Sequence, residues 1–294
     1  MLRLSATAVA VALVVGCGDQ VSAPSTDDAD YVDAAQPSEG LVPAGYDGRY
    51  RVSATVLESA EHGPQLCGSV AESLPPQCGG PDLVGWDWKA VEHESLSGTQ
   101  WGEYSLVGTY DGDAFALTEP PGEPTRPGGS AGDEYTTPCP KPDGGWRPVD
   151  PERATDDDLN AVNRAASDVD GFTGVWIDQR IPDDELTEWN ANDPKRLVLN
   201  VTTAGDPAEM ERAVRAVWGG SVCVSSVDRT EVQLRQAQRG AGEVAGGFVS
   251  SSIDVVTAQV GLTVMVATEE LQQDLDDRYG TGTVRLFGVL EPID

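Results

Sequence analysis

Positively charged side chains are scarce in this sequence. It contains 19 Lys and Arg against 49 Asp and Glu, which gives a formal net charge of −30, and its lysines are Lys89, Lys141 and Lys195. A field of that sign repels phosphate backbones. We therefore expect no nucleic-acid partner.

Histidine is scarcer still, which limits the catalytic chemistry that we can expect. The two histidines are His62 and His93, and a serine hydrolase needs a base of this kind beside its nucleophile. His93 lies between Glu92 and Glu94, a pattern more typical of a solvated surface than of a metal ligand. We predict no catalytic residue, no metal and no cofactor.

The apolar run at the N-terminus is too short to cross a membrane. It extends from Leu4 to Val15 after a single positive charge, whereas a spanning helix needs about 20 apolar residues. This is the pattern of a signal peptide. Residues 13–17 also resemble the lipobox of bacterial lipoproteins, in which the cysteine carries the lipid. The alternative is an ordinary secretory signal followed by a chance cysteine.

The lipobox interpretation predicts a localisation. Residues 1–16 would be removed, and acyl chains such as palmitate on Cys17 would anchor the protein in the bilayer, on the extracytoplasmic face of the cell membrane. Residues 17–45 are rich in Ser, Pro, Ala and acidic side chains. Such a segment buries too little apolar surface to offset its ordering entropy. We predict a disordered acidic tether there.

Four cysteines remain after Cys17, and their even number outside the membrane suggests two disulfides. They are Cys67, Cys78, Cys139 and Cys223, and they allow three connectivities. Cys67 and Cys78 flank a short loop, which favours their pairing and leaves Cys139 with Cys223. A zinc site is the alternative, but the chain has no C-x-x-C pair.

Residues 46–119 show the alternation of a β domain. Tyr50, Val52, Ala54 and Val56 occupy every second position of a predicted half-buried strand. Further strands are predicted over 82–89, 101–110 and 113–118, the last two joined at a hairpin-forming Asp111-Gly112 pair. We expect a small antiparallel all-β domain, either an OB-like barrel or a sandwich.

A Pro- and Gly-rich linker over residues 120–151 is predicted to separate this domain from an α+β domain over residues 152–294. Helix starts are predicted at Thr155, Asp206, Thr230 and Thr268, each a favourable N-cap. A strand is predicted over 253–267. If the helix after Thr230 is treated as an insertion, the remaining elements follow the order β-α-β-β-α-β. This order is typical of a ferredoxin-like domain. We therefore predict a two-domain chain whose second domain is ferredoxin-like.

Trp86 and Trp88 would lie on one face of the predicted strand over 82–89. Two aromatic rings on one face can form a platform for a sugar or another flat ligand. The alternative, which we favour, is that they fill the core of the small β domain beside the Cys67–Cys78 loop.

Residues 63–67, 73–81 and 84–88 resemble segments of uncharacterised secreted lipoproteins of high-GC Gram-positive bacteria. That resemblance covers much of the chain and implies no known activity. Residues 275–280, with Val284, resemble the helix-to-strand step of ferredoxin-like pro-segments of secreted serine proteases, over about twenty residues.

Three functions remain in view. The first is a non-catalytic envelope module that binds a protein, a small ligand or a wall component. The second is a hydrolase that acts on cell wall or carbohydrate through a carboxylate pair drawn from the 49 acidic residues. The third, implied by the second resemblance, is an inhibitor or chaperone related to protease pro-segments. The absence of a catalytic constellation, the disulfides and the long tether favour the first.

Overall fold

The computed structural model describes residues 40–71, 73–125, 135–179, 187, 190, 193–247 and 249–293. The predicted signal peptide, the lipidation site Cys17 and the tether up to residue 39 lie outside these residues. No helix within the described ranges is both long and apolar enough to cross a membrane.

Eight strands form the first half of the described chain. They are β1 (Tyr50–Glu58), β2 (Gln65–Leu66), β3 (Val70–Ala71), β4 (Gln77–Cys78), β5 (Asp82–Val84), β6 (Glu94–Leu96), β7 (Thr99–Tyr110) and β8 (Ala114–Leu117). Five of them pair in a closed ring, in which β1 is followed by β2, β5, β8 and β7, and β7 returns to β1. The β5–β8 pair is parallel, and the other four pairs are antiparallel.

The predicted buried face of β1 is confirmed, because Tyr50, Val52, Ala54 and Val56 all lie in one apolar core, but the alternation ends at Thr55, which is buried on the other face. The predicted hairpin between β7 and β8 is also present. There the Asp111 carboxylate accepts hydrogen bonds from the backbone of residues 113 and 114, which lowers its pKa.

The second half alternates helices and strands. Its elements are α1 (Asp156–Ser167), β9 (Phe172–Gln179), β10 (Leu197–Thr203), α2 (Pro207–Val217), β11 (Ser221–Ser226), α3 (Glu231–Val244), β12 (Ser250–Asp254), β13 (Gln259–Val264), α4 (Glu269–Tyr279), β14 (Val284–Gly288) and β15 (Glu291–Pro292). The chain as described is therefore a mixed α/β protein.

The order α-β-β-α-β occurs twice in this half. The first unit (residues 156–226) forms a sheet of order β11-β10-β9, and the second unit (residues 231–288) forms one of order β14-β13-β12. In each sheet an antiparallel hairpin is followed by a parallel strand. Each unit has a separate buried apolar cluster. The two units thus share one topology.

The predicted ferredoxin-like sheet is not the arrangement observed. A split β-α-β unit leaves a gap between its two parallel strands, whereas β10 and β11 are direct neighbours, as are β13 and β14. The strands therefore form two three-stranded sheets. Helix α3 is the first helix of the second unit, at the place that α1 takes in the first, so the prediction that it is an insertion was wrong.

All four predicted helix starts are confirmed by side-chain caps. Thr155 and Thr230 each form a full capping box, with Asp158 and Gln233 respectively. The side chain of Asp206 accepts from the backbone N–H of Ala208, and that of Thr268 from the N–H of Leu271. Each cap satisfies a backbone donor that the first helical turn leaves unpaired.

Three predicted boundaries differ from the structure. The strand predicted over 82–89 ends at Val84, because Gly85 takes a φ of +89° and turns the chain. The strand predicted over 253–267 is the end of β12 followed by β13, with a turn between them. The folded part also begins before residue 46, since Val42 is buried and its N–H bonds to the carbonyl of Ala267.

All described residues, including the five-strand ring and both α/β units, fall within one compact body. Strand β15, from the second half, pairs with β1 of the five-strand ring. The described parts of the predicted linker are also hydrogen-bonded to the folded chain. Gly122 forms a β-bridge with Ser105, and the N–H of Asp150 bonds to the carbonyl of Gly219.

Candidate functional site

The two disulfides that the sequence favoured, Cys67–Cys78 and Cys139–Cys223, are both present. The Cys67–Cys78 loop carries the β3–β4 pair and covers Leu57 and Trp101 in a small apolar cluster. The sequence predicted Trp86 and Trp88 beside this loop and did not predict Trp101 there. Its position on β7, with its cross-strand partner Leu57 on β1, is visible only once the strands are paired.

Trp86 and Trp88 follow β5 and pack against the core of the five-strand ring. Their ring centroids are 5.2 Å apart with the planes at 82°, so the two indoles meet edge to face and do not share one flat surface. The Trp88 Nε1–H donates to the Glu58 carboxylate at 2.6 Å. This geometry favours the core interpretation over the platform.

Tyr104 completes this aromatic cluster from β7. Its ring contacts Trp86 at 4.9 Å between centroids, and its hydroxyl donates to the carbonyl of Glu92 at 2.6 Å. Burial raises the pKa of Tyr104 to about 12, so the hydroxyl stays protonated and acts as a hydrogen-bond donor. His93 is exposed and its ring lies 5.0 Å from that of Trp88.

A cleft lies where the two α/β units meet. We call it the interunit cleft; it has a volume of about 330 Å³. Its lining comes from corresponding elements of both units, namely α1 and β9 of the first and α3 and the β12–β13 hairpin of the second. Ligand sites are frequent at boundaries between such units. This makes the cleft the strongest candidate site in the described chain.

The floor of the cleft is residues 172–175 of β9. Side chains on a strand alternate between its two faces. Phe172 points into the core of the first unit, whereas the Thr173 hydroxyl donates to the carbonyl of Arg229 at 2.6 Å, toward the second unit. Residues from both faces of β9 therefore line the cavity, and three of them, Phe172, Thr173 and Gly174, are buried.

Helix α3 forms a polar wall of the cleft. The Arg235 guanidinium binds one carboxylate oxygen of Glu231 through Nε and Nη2, at 2.9 and 2.6 Å. Gln238 donates from Nε2 to the Ser251 hydroxyl at 3.2 Å. Asn163 of α1 lines the opposite side. Together these groups can donate hydrogen bonds to a ligand and accept hydrogen bonds from it.

Contacts between the units fix the width of the cleft. The Thr202 hydroxyl donates to the carbonyl of Val255 at 2.9 Å. A Cβ at Gly174 would lie 2.4 Å from the Val255 side chain, so β9 and the β12–β13 turn are already in van der Waals contact. A larger residue at 174 would push the units apart. The cleft is thus preformed.

A second cavity of about 260 Å³ lies between the Cys67–Cys78 loop and the second unit. Half of its lining residues are glycines, and Val249 and Met265 are its bulkier side chains. It offers fewer directed hydrogen-bonding side chains than the interunit cleft, so we consider it the weaker candidate.

No cluster of three or more His, Cys, Asp or Glu side chains able to hold a metal ion occurs among the described residues. Of the described residues that line the interunit cleft, Glu231 is the single carboxylate. The lining amides of Asn163 and Gln238 and the apolar side chains of Val175 and Ile253 can contact a ligand through hydrogen bonds and apolar packing. Comparison of the chain with protein-family models and with curated protein sequences gave no match.

Proposed function

We propose that this protein is a non-catalytic binding module of the cell envelope, and that the interunit cleft is its ligand site. The observation that carries the proposal is the preformed cavity of about 330 Å³, with residues of β9 as its floor and the polar helix α3 as its wall. A cavity of this size is at the lower end of the range for small-ligand sites. The ligand is accordingly small, or a short part of a larger partner.

The proposal includes the anchor. Cleavage after Gly16 and lipidation of Cys17 would leave acyl chains in the bilayer and the binding module on the extracytoplasmic face. The acidic tether would then hold the module away from anionic headgroups. The two disulfides support this placement, because such bonds persist in oxidising compartments.

The proposal also includes a finer description of the first half as an OB-like barrel, formed by the five-strand ring. Support comes from the closed sequence of pairings and from the parallel β5–β8 pair within it. The 3₁₀ turn Trp88–Ala90 and the neighbouring tryptophans would close one end of the barrel.

A photo-cross-linking experiment in intact cells tests the binding function. A photoreactive side chain would replace Asn163, which lines the cleft, and in a control protein Leu74, which is 77% exposed on the Cys67–Cys78 loop. We expect a discrete adduct, identified by mass spectrometry, from position 163 and not from position 74. Equal adducts from both positions, or none from 163, would contradict the proposal.

A further inference from the structure

One segment crosses the face of the first unit's sheet that lies away from α1 and α2. We call residues 135–139 the strap. Leu199 of β10 packs in the apolar cluster beneath the two helices, and the next side chain along a strand points to the opposite face. Trp176, Asn200 and Cys223 therefore form a row across that opposite face, because the strand register places Asn200 beside both of the others.

The strap contacts each residue of this row in turn. The contacts are the Trp176 Nε1–H with the Tyr135 carbonyl at 3.1 Å, the Asn200 Nδ2 with the Thr137 hydroxyl at 3.3 Å, and the Cys139–Cys223 disulfide. The strap thus runs from β9 over β10 to β11.

Apart from the disulfide, these contacts are hydrogen bonds. The Asp178 carboxylate accepts from the N–H and the hydroxyl of Thr137, at 2.7 and 2.6 Å. No buried apolar cluster of the described chain includes a residue of the strap. The Asn200 Oδ1 is buried with no hydrogen-bond partner among the described residues, which is unfavourable. Since ordering such a segment costs more free energy than a few hydrogen bonds recover, the position of the strap depends on the disulfide.

The two sulfur atoms of this disulfide differ in accessibility. Cys223 is 2% exposed in the sheet beneath the strap, whereas Cys139 is half-buried. Thiol–disulfide exchange requires access to the sulfur that is attacked. An external thiolate therefore reaches Sγ of Cys139.

The face that the strap covers continues to the boundary of the interunit cleft. Thr202 lies two residues beyond Asn200 on β10, so its side chain points to the same face. Its hydroxyl donates to the carbonyl of Val255 in the second unit at 2.9 Å. The strap therefore lies beside the contact that fixes the width of the cleft.

We propose that the Cys139–Cys223 disulfide is a redox switch that holds the strap over the sheet, and that a dithiol protein of the Cys-x-x-Cys class opens it. In the open form the row Trp176, Asn200 and Cys223 is accessible to solvent beside the interunit cleft. This inference goes beyond the binding function proposed above and does not depend on it, because its tests follow the strap and not a ligand.

The reaction is a thiol–disulfide exchange in two steps. A thiolate of the reductant attacks Sγ of Cys139, the S–S bond breaks, and its electron pair leaves on Sγ of Cys223, which takes a proton. The second thiol of the reductant then attacks the mixed disulfide and releases Cys139, which also takes a proton. The reductant is oxidised to a disulfide, and this protein is reduced to two thiols.

Hydroxyl-radical footprinting tests the release of the strap. In the full chain with Cys67→Ala and Cys78→Ala, a water-soluble phosphine would reduce the strap disulfide while the other disulfide is absent. We expect labelling of Trp176, which is 8% exposed, to rise about fivefold or more on reduction. Trp218, fully buried on the helix side of the same unit, should stay unlabelled. Unchanged labelling of Trp176 would overturn the inference, and so would equal gains at both tryptophans, which would mean that the whole unit unfolds.

Two matched variants separate the strap disulfide from the general effect of removing cysteines. Without any reductant, hydrogen exchange at the Thr137 N–H should be about tenfold faster in Cys139→Ala/Cys223→Ala than in the parent, and unchanged in Cys67→Ala/Cys78→Ala. Circular dichroism would confirm that both fold. If the first variant does not fold, the phosphine-reduced chain of the footprinting experiment supplies the same measurement. Parental protection of this N–H without the strap disulfide would overturn the inference.

Trapping of the mixed disulfide tests the class of reductant and the sulfur that it attacks. The probe is a thioredoxin-like protein in which Ser replaces the second cysteine of its Cys-x-x-Cys motif, so that the exchange stops after the first step. Mixed with the Cys67→Ala/Cys78→Ala chain, it should form an adduct that mass spectrometry locates at Cys139. An adduct at Cys223 instead, or no adduct, would overturn the proposed exchange.

Discussion

Tyr104 shows how one buried side chain makes stability depend on pH. Its pKa is raised by burial from 10.0 to about 12. Between these two values the unfolded chain releases the phenolic proton and the folded chain retains it, so rising pH favours unfolding. Burial also raises the pKa values of Tyr50 and Tyr110, which act in the same direction.

Replacement of Tyr104 by Phe is therefore expected to have two opposite effects. At neutral pH the free energy of unfolding falls by about 1 kcal/mol, because the hydrogen bond to the carbonyl of Glu92 is lost. Between pH 10 and 12 the variant loses less stability than the parent. Urea titrations at a series of pH values measure both, with Tyr135→Phe as the exposed control. A pH dependence identical to that of the parent would refute the role of Tyr104.

At the scale of single elements, the N-cap of α3 supports the wall of the cleft. The Thr230 hydroxyl accepts from the N–H of Gln233, and the Gln233 side chain accepts from the N–H of Thr230. Thr230→Ala should lower the free energy of unfolding by about 1 kcal/mol, measured by denaturant titration. Gln236→Ala, at an exposed position in the middle of the same helix, serves as the control and should change stability little.

Element type and helix starts could be predicted from the sequence, whereas sheet membership could not. Caps such as Thr155 and Thr230 act within one turn of the chain, so a local pattern reveals them. Whether β10 lies beside β11 depends on contacts between side chains far apart in sequence, and the order of elements is the same for a split and an unsplit β-α-β unit. The predicted ferredoxin-like sheet failed for this reason.

The candidate site could not be predicted from the sequence for a related reason. Residues 172–175 form a cavity floor only because the second unit packs beside them, and no motif marks that packing. The two capping boxes of α1 and α3 were a signal of repetition that pattern reading did not use. The sequence placed Trp86 and Trp88 close together, but it could not show that the chain turns at Gly85 or that the two rings meet edge to face.

For the molecule as a whole, charge should outweigh shape in the choice of partner. OB-like barrels often bind oligonucleotides, yet that binding requires a positive groove as well as stacking rings. The net charge here is −30. We expect no binding of single-stranded DNA or RNA in a mobility-shift assay at low salt, where electrostatic attraction is strongest. Micromolar binding that weakens with added salt would reverse this expectation.

The pairing of β15 with β1 has a consequence for the rate of folding. The N–H of Ile293 bonds to the carbonyl of Arg49, so residues close to opposite ends of the described chain become neighbours. Contacts this distant in sequence form slowly, because a very long loop must close first. The ring can close first through the pairing of β1 with β2 and β7, and the two α/β units can form from their local contacts, so the pairing of β15 with β1 is expected to be the last of these steps.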